Sequence, residues 1–435
     1  MKIKTTIFLL LMLIVATFIF HTFFLDNFNT SVRYINDYWV DFDHDGQALL
    51  VHHDKGVYAL RGVWFPRKLR PYTDVFSEYP EIATYFFAIP YFFINTTDDA
   101  TILFEYSLVF SLLMMIFLAF TISLLYKMKP EKKYLAFLML LPASLYFSYN
   151  RYDIIIAFIM LLSLFYLREK KFGLATLILA IGVMTKWFLI ILFPIYLTYY
   201  YWQKEKNHTT PNAIIHSIKL MLYKINWKMI TIFVLTISFI ILPTLYFSGL
   251  KGFLIPYDFH MSRGVNDQSF LFQITFLLDM LSDQFKTIGS IIHSLNIRTL
   301  LYGVFFVMQF FISLLVITSR IDSFEKVIKW SLLSILFFVL FAKFYSPQWI
   351  LWFSPLLIYL AKNKKDVFLI VILDLITYLY FPVVYDIYKH SIELVLICSL
   401  ISIILIILIF RTFPQLIKDN HLLFPKNKKQ PSSFY

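Results

Sequence analysis

Long apolar runs constrain this chain more than any other feature. They fall at about 6–25, 101–126, 134–149, 154–167, 172–186, 188–201, 229–248, 299–318, 330–342, 349–361, 367–381 and 391–410. A helix needs about 20 residues to cross the hydrocarbon core of a bilayer, and many of these runs come near that length. A soluble protein carries roughly a quarter charged residues, whereas only 15% are charged here and 59% are hydrophobic. The pattern predicts an all-α polytopic membrane protein: one domain over 1–410 with about 12 transmembrane helices, then a basic tail over 411–435. The aromatic residues, 20% of the chain, suit lipid-facing and interfacial positions.

The net charge of +12 would suggest a nucleic-acid partner in a soluble chain. Here most Lys and Arg sit in short loops and in the tail, where they control topology and meet anionic headgroups. Membrane lipid is therefore the expected partner, and no nucleic acid is. The single cysteine, Cys398, excludes an internal disulfide and a thiolate zinc site. The first run follows Lys2 and Lys4 as in a signal peptide, but it is long and lacks a small-residue cleavage site. A retained first helix is expected.

The loops fix an orientation. With the N-terminus inside, the inner loops are 127–133 (KMKPEKK), 168–171 (REKK), 202–228, 319–329, 362–366 (KNKKD) and the tail, all with clustered basic residues. The outer segments hold most of the acidic residues, so the charge asymmetry and the even count predict an N-in, C-in arrangement. Two outer loops are long, 26–100 and 249–298. "YPEIATYFFAIPYFFI" in the first is short for a span and bracketed by Pro80 and Pro90; an interfacial helix suits it. "SFLFQITFLLDML" in the second is another candidate of that kind.

Ionisable residues near a membrane are costly and mark function by default. The conspicuous ones gather on the outer side: Asp41, Asp43 and Asp45 in "DFDHD", Glu78 and Glu81 in "SEYPE", Arg151 and Asp153 in "NRYD", Lys186 in "MTKW", the "NDQS" stretch at 266–269, and Lys343 in "KFYSPQW". An acidic outer face follows from the positive-inside rule, but Arg151, Lys186 and Lys343 do not. "DFDHDG" matches the first half of a calcium loop. The closing positions are then Leu49 and His52, so the bidentate glutamate is missing. A looser divalent-metal site on Asp41 and Asp43 stays open, and no other metal or cofactor is expected.

A carboxylate in a partly desolvated pocket can take a proton from an attacking hydroxyl. Lys186 and Arg151 at helix ends can hold a phosphate, the lysine as a point charge and the arginine bidentately. A base and a phosphate clamp beside a bilayer suggest group transfer from a lipid-linked phosphate. The plainer alternative pairs Arg151 with Asp153 and lets Lys186 snorkel to the interface.

The order of these pieces, "DFDHD", "RPYTDVFSEYPEIATYFFAIP", "NRYDIIIAF", "MTKWFLIILFPIYL", "NDQSF" and "KFYSPQWILWFSPLL", resembles the multi-pass GT-C glycosyltransferases over about 37–361. It is most similar to family-87 mannosyltransferases and, more distantly, to the first mannosyltransferase of GPI-anchor assembly. Asp41-Phe42-Asp43 matches that enzyme's acidic D-x-D, Arg70–Tyr72 its S-P-Y imperfectly, and Glu78–Glu81 its tyrosine–proline element. Ser346 to Trp349 with Trp352 matches a later S-Q-Y-x-x-W-like piece. Glu81 stands where family-87 enzymes usually have a second proline.

The resemblance implies an inverting transfer of a hexose, mannose first, from a polyprenyl-phosphate donor to a glycan or glycolipid acceptor on the extracytoplasmic or luminal face of a plasma or endoplasmic-reticulum-type membrane. The base is Asp43, Asp41 or Asp45. Lys186, Arg151 and Lys343 would hold the donor phosphate. Glu78, Tyr79, Asp153, Gln268, Gln348 and Trp349 would line the substrate groove. No nucleotide sugar is required, and no Gly-rich phosphate loop is present. Two rivals differ in kind: a glycolipid flippase, which would want midplane charges and broken helices, and a non-catalytic subunit of a glycan-assembly complex, in which the outer acids would be dispensable.

Overall fold

A computed structural model describes residues 32–35, 39–42, 53–96, 99–204, 226–284, 297–385 and 392–417. The first expected span, 6–25, lies outside the described residues, as does the tail beyond 417. Strands β1 (Val32–Ile35) and β2 (Trp39–Phe42) open the described chain as an antiparallel pair with Arg33 opposite Asp41. Apart from this small two-stranded pair the described elements are helices, as the all-α expectation has it. Next come α1 (His53–Gly62) and the short α2 (Glu81–Phe86), then α3 (Asp99–Met128), α4 (Pro142–Asn150), α5 (Asp153–Arg168), α6 (Phe172–Val183) and α7 (Phe193–Lys204). The rest is α8 (Trp227–Ser262), α9 (Phe270–Gln284), α10 (Ile297–Ile317), α11 (Phe324–Phe341), α12 (Ile350–Leu360), α13 (Lys364–Tyr378) and α14 (Ile392–Ile417).

Every expected span from 101 onward meets helical structure, but the lengths differ. Among the described residues four helices are long and apolar enough to cross a membrane: α3, α8, α10 and α14. A fifth follows if α4 and α5, bent by 103° at Arg151-Tyr152, count as one broken span. These helices are compatible with a multi-pass membrane protein. The shorter elements have local causes. Pro130 starts a 3-10 segment over Pro130–Leu140, and Pro142 at the first turn of α4 restarts the chain as an α-helix. Asp153 lies in the first turn of α5, where a carboxylate complements the helix dipole.

Two glycines shape the bundle. Gly249 has φ +63°, a conformation that costs glycine little, and it breaks α8 at the expected end of the 229–248 span. The helix then resumes to Ser262, within the range expected for the second outer loop. Gly62 ends α1 against the turn after α2: a Cβ there would lie 2.1 Å from the Phe87 carbonyl oxygen. Only a residue without a side chain lets the two backbones approach so closely.

The interfacial expectation for 79–94 meets two short helical turns, α2 and a 3-10 turn over Ile89–Phe93, with Phe92 and Phe93 exposed. α8 is apolar around its whole circumference, and only 11% of its most hydrophobic window is buried. Phe239 and Tyr246 stand exposed there, as do Phe306 and Phe310 on α10. In water such a surface would be an aggregation hazard; against acyl chains it carries no penalty.

Inside, α3, α5, α6 and α12 share one apolar core. Asp374 of α13 is buried in it and accepts hydrogen bonds from the Ala143 and Ser144 amides (2.8 and 2.9 Å) and the Ser144 hydroxyl (2.7 Å). It caps the N-terminus of α4 from a neighbouring helix. The basic loops also bind one another. Lys129 donates to the carbonyls of Ile358 and Ala361 at the end of α12. Arg168 reaches the Met128 carbonyl, and Gln203 that of Asp322.

Candidate functional site

Three sharp corners meet at the other end of these helices. At the first, α4 stops at Asn150, Arg151 is extended (φ −129°, ψ 143°), and α5 starts at Asp153. At the second, α6 is followed by an extended Lys186 (φ −157°, ψ 116°) and a 3-10 turn over Trp187–Leu192. At the third, an extended Ser346 leads into the Pro347–Trp349 turn and then α12. Each corner therefore ends a helix beside a charged or aromatic residue from one of the motifs.

Asp153 is fully buried and is the centre of the arrangement. Its Oδ1 accepts from the Lys186 ammonium at 2.6 Å and from the Trp352 indole N–H at 2.7 Å. Its Oδ2 has no hydrogen-bond partner among the described residues. The Lys186 ammonium also lies 4.8 Å from the ring centroids of both Tyr152 and Trp352. Such stacking stabilises a cation that has left water. Arg151 pairs with Asp54 of α1 rather than with Asp153, so the alternative pairing read from the sequence is not the one formed. Lys186 is likewise held by a carboxylate and two rings instead of reaching freely to the interface.

Lys55, beside Asp54 on α1, is fully buried, and its ammonium finds no hydrogen-bond partner among the described residues. It faces the Tyr149 ring at 5.1 Å. Burial alone pulls its pKa down to about 7. Arg151 and Lys186 are thus each paired with a carboxylate, Asp54 and Asp153, while the buried Lys55 ammonium has no hydrogen-bond partner among the described residues. A buried amine without an acceptor of its own suits an anion, which would favour its protonated form.

The other motifs close around this core. Glu78 takes an ion pair from Arg61 at 2.6 Å, and its carbonyl meets His260 Nε2 at 3.0 Å. Tyr79 packs edge-on against Tyr58, Phe87 and Tyr152. The Ile82 amide donates to the Met184 carbonyl at 3.0 Å, tying "SEYPE" to "MTKW". Glu81 is buried, which raises its carboxyl to about 6. The second half of α8 contributes His260 and Tyr257, whose ring stacks on Trp187 at 4.3 Å. Asn266 bonds the Tyr345 backbone on both sides, joining "NDQS" to "KFYSPQW". An aromatic file continues inward, with Phe188 stacked on Trp352 at 3.9 Å and Trp352 on Trp349 at 4.5 Å.

The expected residues therefore divide. Arg151, Asp153 and Lys186 come together, with Glu78, Tyr79 and Trp349 packed close by. Gln348 is half-buried in the turn beside Trp349. Lys343 stands at the margin, donating to the Met261 carbonyl at 3.1 Å, with its pKa lowered by partial burial and by Arg263. Gln268 is buried, its backbone carbonyl accepting from Cys398 Sγ of α14. Asp41 is placed on β2 by its backbone only, and Asp43 and Asp45 lie outside the described residues. The metal expectation at Asp41 and Asp43 falls there too; among the described residues no group of three or more His, Cys, Asp or Glu is placed to hold a metal ion. Asp54, Lys55 and His260 were not expected. "HDK" at 53–55, a charged triplet opening a short helix in a greasy loop, was the available signal.

The lowered pKa of Lys55 gives a signed prediction. The unfolded lysine titrates near 10.4 and the folded one about 7. Between these values the unfolded state holds more protons, so stability rises with pH through that window and is flat below it. The wild-type melting temperature should climb from pH 7 to about 9.5 relative to Lys55→Met, which lacks the titration. Parallel pH profiles for the two proteins would show that Lys55 is not titrating in this way.

No family model matches the chain, and no curated protein gives a significant match to it.

Proposed function

We propose that the chain is an integral-membrane glycosyltransferase that moves a hexose, mannose first, from a polyprenyl-phosphate donor to a lipid-linked or surface glycan acceptor. Its frame would be about 12 membrane-crossing elements with both termini on the basic side and the site on the extracytoplasmic or luminal side. The observation that carries this reading is the group of buried basic side chains, Arg151 and Lys186 on their carboxylates and Lys55 without a hydrogen-bond partner among the described residues, together with the Phe188–Trp352–Trp349 file. The cations suit a donor phosphate and the aromatic faces suit a sugar or prenyl chain. The GT-C resemblance supplies the reaction class.

In the reaction, a first-loop aspartate, Asp43, Asp41 or Asp45, accepts the proton of the acceptor hydroxyl. The acceptor oxygen bonds to C1 of the sugar from the face opposite the phosphate, and the C1–O bond to phosphate breaks with inversion. Polyprenyl phosphate leaves carrying the bonding pair. Arg151 and Lys186 stabilise that charge where it develops, and Asp153 holds Lys186 in place. Because desolvated donors are worth more than the same groups in water, their burial favours this role.

The test is purified protein with a polyprenyl-phosphate hexose and a panel of acceptors. Sugar transfer is expected, falling at least about 100-fold in Asp41→Asn or Asp43→Asn, the usual scale for loss of a general base. No transfer to any acceptor, or undiminished transfer in both variants, overturns the proposal. A second reading draws on the 103° break between α4 and α5, since broken helices form the substrate sites of many transporters. Movement of intact glycolipid across vesicles without bond cleavage would favour that flippase, and neither outcome would leave a non-catalytic subunit of an assembly complex.

A further inference from the structure

At the basic end of the helices, a cavity of about 220 Å³ opens between α11, α12, α13 and α14. Its lining divides by chemistry. Lys329, Lys362 and Arg411 supply three cations, and Leu332, Leu357 and Leu408 supply apolar wall. Lys362 and Arg411 are well exposed, so their charges stand at the rim. Two carboxylates answer them. Glu325 is shared by Lys329 and Lys362 at 3.0 and 2.8 Å, and Asp366 meets Arg411 at 2.6 Å.

Asp366 is also bound to backbone. Its Oδ2 accepts from the Lys362 and Asn363 amides, closing the capping box that starts α13. Its charge is therefore largely committed to the helix end, and the rim keeps a net positive character. Such ion pairs at the surface contribute little by themselves and can be exchanged for a better anion. A small soluble anion would satisfy the cations but leave the leucine wall in contact with water. An amphiphile satisfies both.

We propose that this cavity is a binding site for an anionic phospholipid, its phosphate at Lys329, Lys362 and Arg411 and its glycerol and upper acyl carbons against the leucines. Basic pockets between membrane helices on the cytoplasmic side recognise headgroups in this way, and this end faces that leaflet in the arrangement proposed above. The assignment rests on the membrane reading and not on the transferase reading. α12 links the two sites directly, starting beside Trp349 and Trp352 and ending at the cavity. A lipid there would brace the helix that carries Trp352.

The experiment uses the full chain, delipidated in a neutral detergent, and titrates it with phosphatidylglycerol, phosphatidylcholine or inorganic phosphate while thermal unfolding is followed. Phosphatidylglycerol is expected to raise the melting temperature at concentrations where the other two do not. In Lys362→Gln/Arg411→Gln its apparent affinity should fall about 25-fold, about fivefold for each cation removed near an anionic headgroup. Lys326→Gln, whose partner is Asp322 outside the cavity, should leave the affinity unchanged. Equal shifts with phosphatidylglycerol and phosphatidylcholine, an equal shift with phosphate alone, or an undiminished response in the double variant each overturn the proposal. Should the double variant not fold, native mass spectrometry of the wild-type protein decides: retention of phosphatidylglycerol no greater than of phosphatidylcholine rejects the site.

Discussion

Asp153→Ala should lower the melting temperature more than any other single change at the charged corner, and abolish transfer as well. The carboxylate is fully buried and holds both the Lys186 ammonium and the Trp352 indole N–H. Its removal leaves a cation without its counter-ion among aromatic rings, and breaking a buried pair from one side costs about 3–5 kcal/mol. The comparison that isolates the cause is the double variant Asp153→Ala/Lys186→Met. With both charges gone the desolvation penalty disappears, so most of the lost stability should return while transfer stays absent. A double variant as unstable as Asp153→Ala would locate the damage in packing, and a single variant with wild-type melting would show that the pair is not formed.

The second large effect is expected far from the corner, at Asp374. A carboxylate in the middle of an apolar run reads as a functional site, yet its oxygens are fully engaged by the first turn of α4. Hydrogen bonds to a charged acceptor contribute about 1.5–3 kcal/mol each, and orphaned buried amides add their own penalty. Asp374→Ala should therefore cost roughly 3 kcal/mol or more, read as a melting shift in detergent. Asp374→Asn, which keeps one good acceptor, should recover part of it. Because α4 leads directly into Arg151, transfer should fall as the helix loosens. Unchanged melting in Asp374→Ala would refute the capping role.

What could be read in advance follows from which interactions are local. Helical spans were legible because a 15–25-residue apolar run carries its own signal, and the break at Gly249 was visible as the end of one. The corner motifs were legible as polar residues where none belong. What could not be read was pairing. "NRYD" offers Arg151 and Asp153 two residues apart, and proximity in sequence suggested one ion pair. The chain instead sends Asp153 to Lys186 and Trp352, 33 and 199 positions away, and Arg151 to Asp54. The burial of Lys55 could not be read for the same reason: a lysine in a loop reads as solvated until the fold removes the water, even within a charged triplet such as "HDK". Nothing in the sequence around Asp374 announces the helix end it caps. Within "NDQS", the Asn266 side chain joins the Tyr345 backbone while the Gln268 backbone carbonyl accepts from Cys398 of α14, two contacts that local sequence does not announce.

The contact at Gly62 has a mechanical consequence. It clamps one end of α1 to the turn after α2, while Asp54 and Lys55 ride near the other end, about 10 Å away at 1.5 Å per residue. α1 is then a lever with its fulcrum at position 62. A tilt of only about 10° would carry the Lys55 end of the helix nearly 2 Å by that geometry. The absence of a single carbon atom at position 62 thus sets how firmly that charge is aimed.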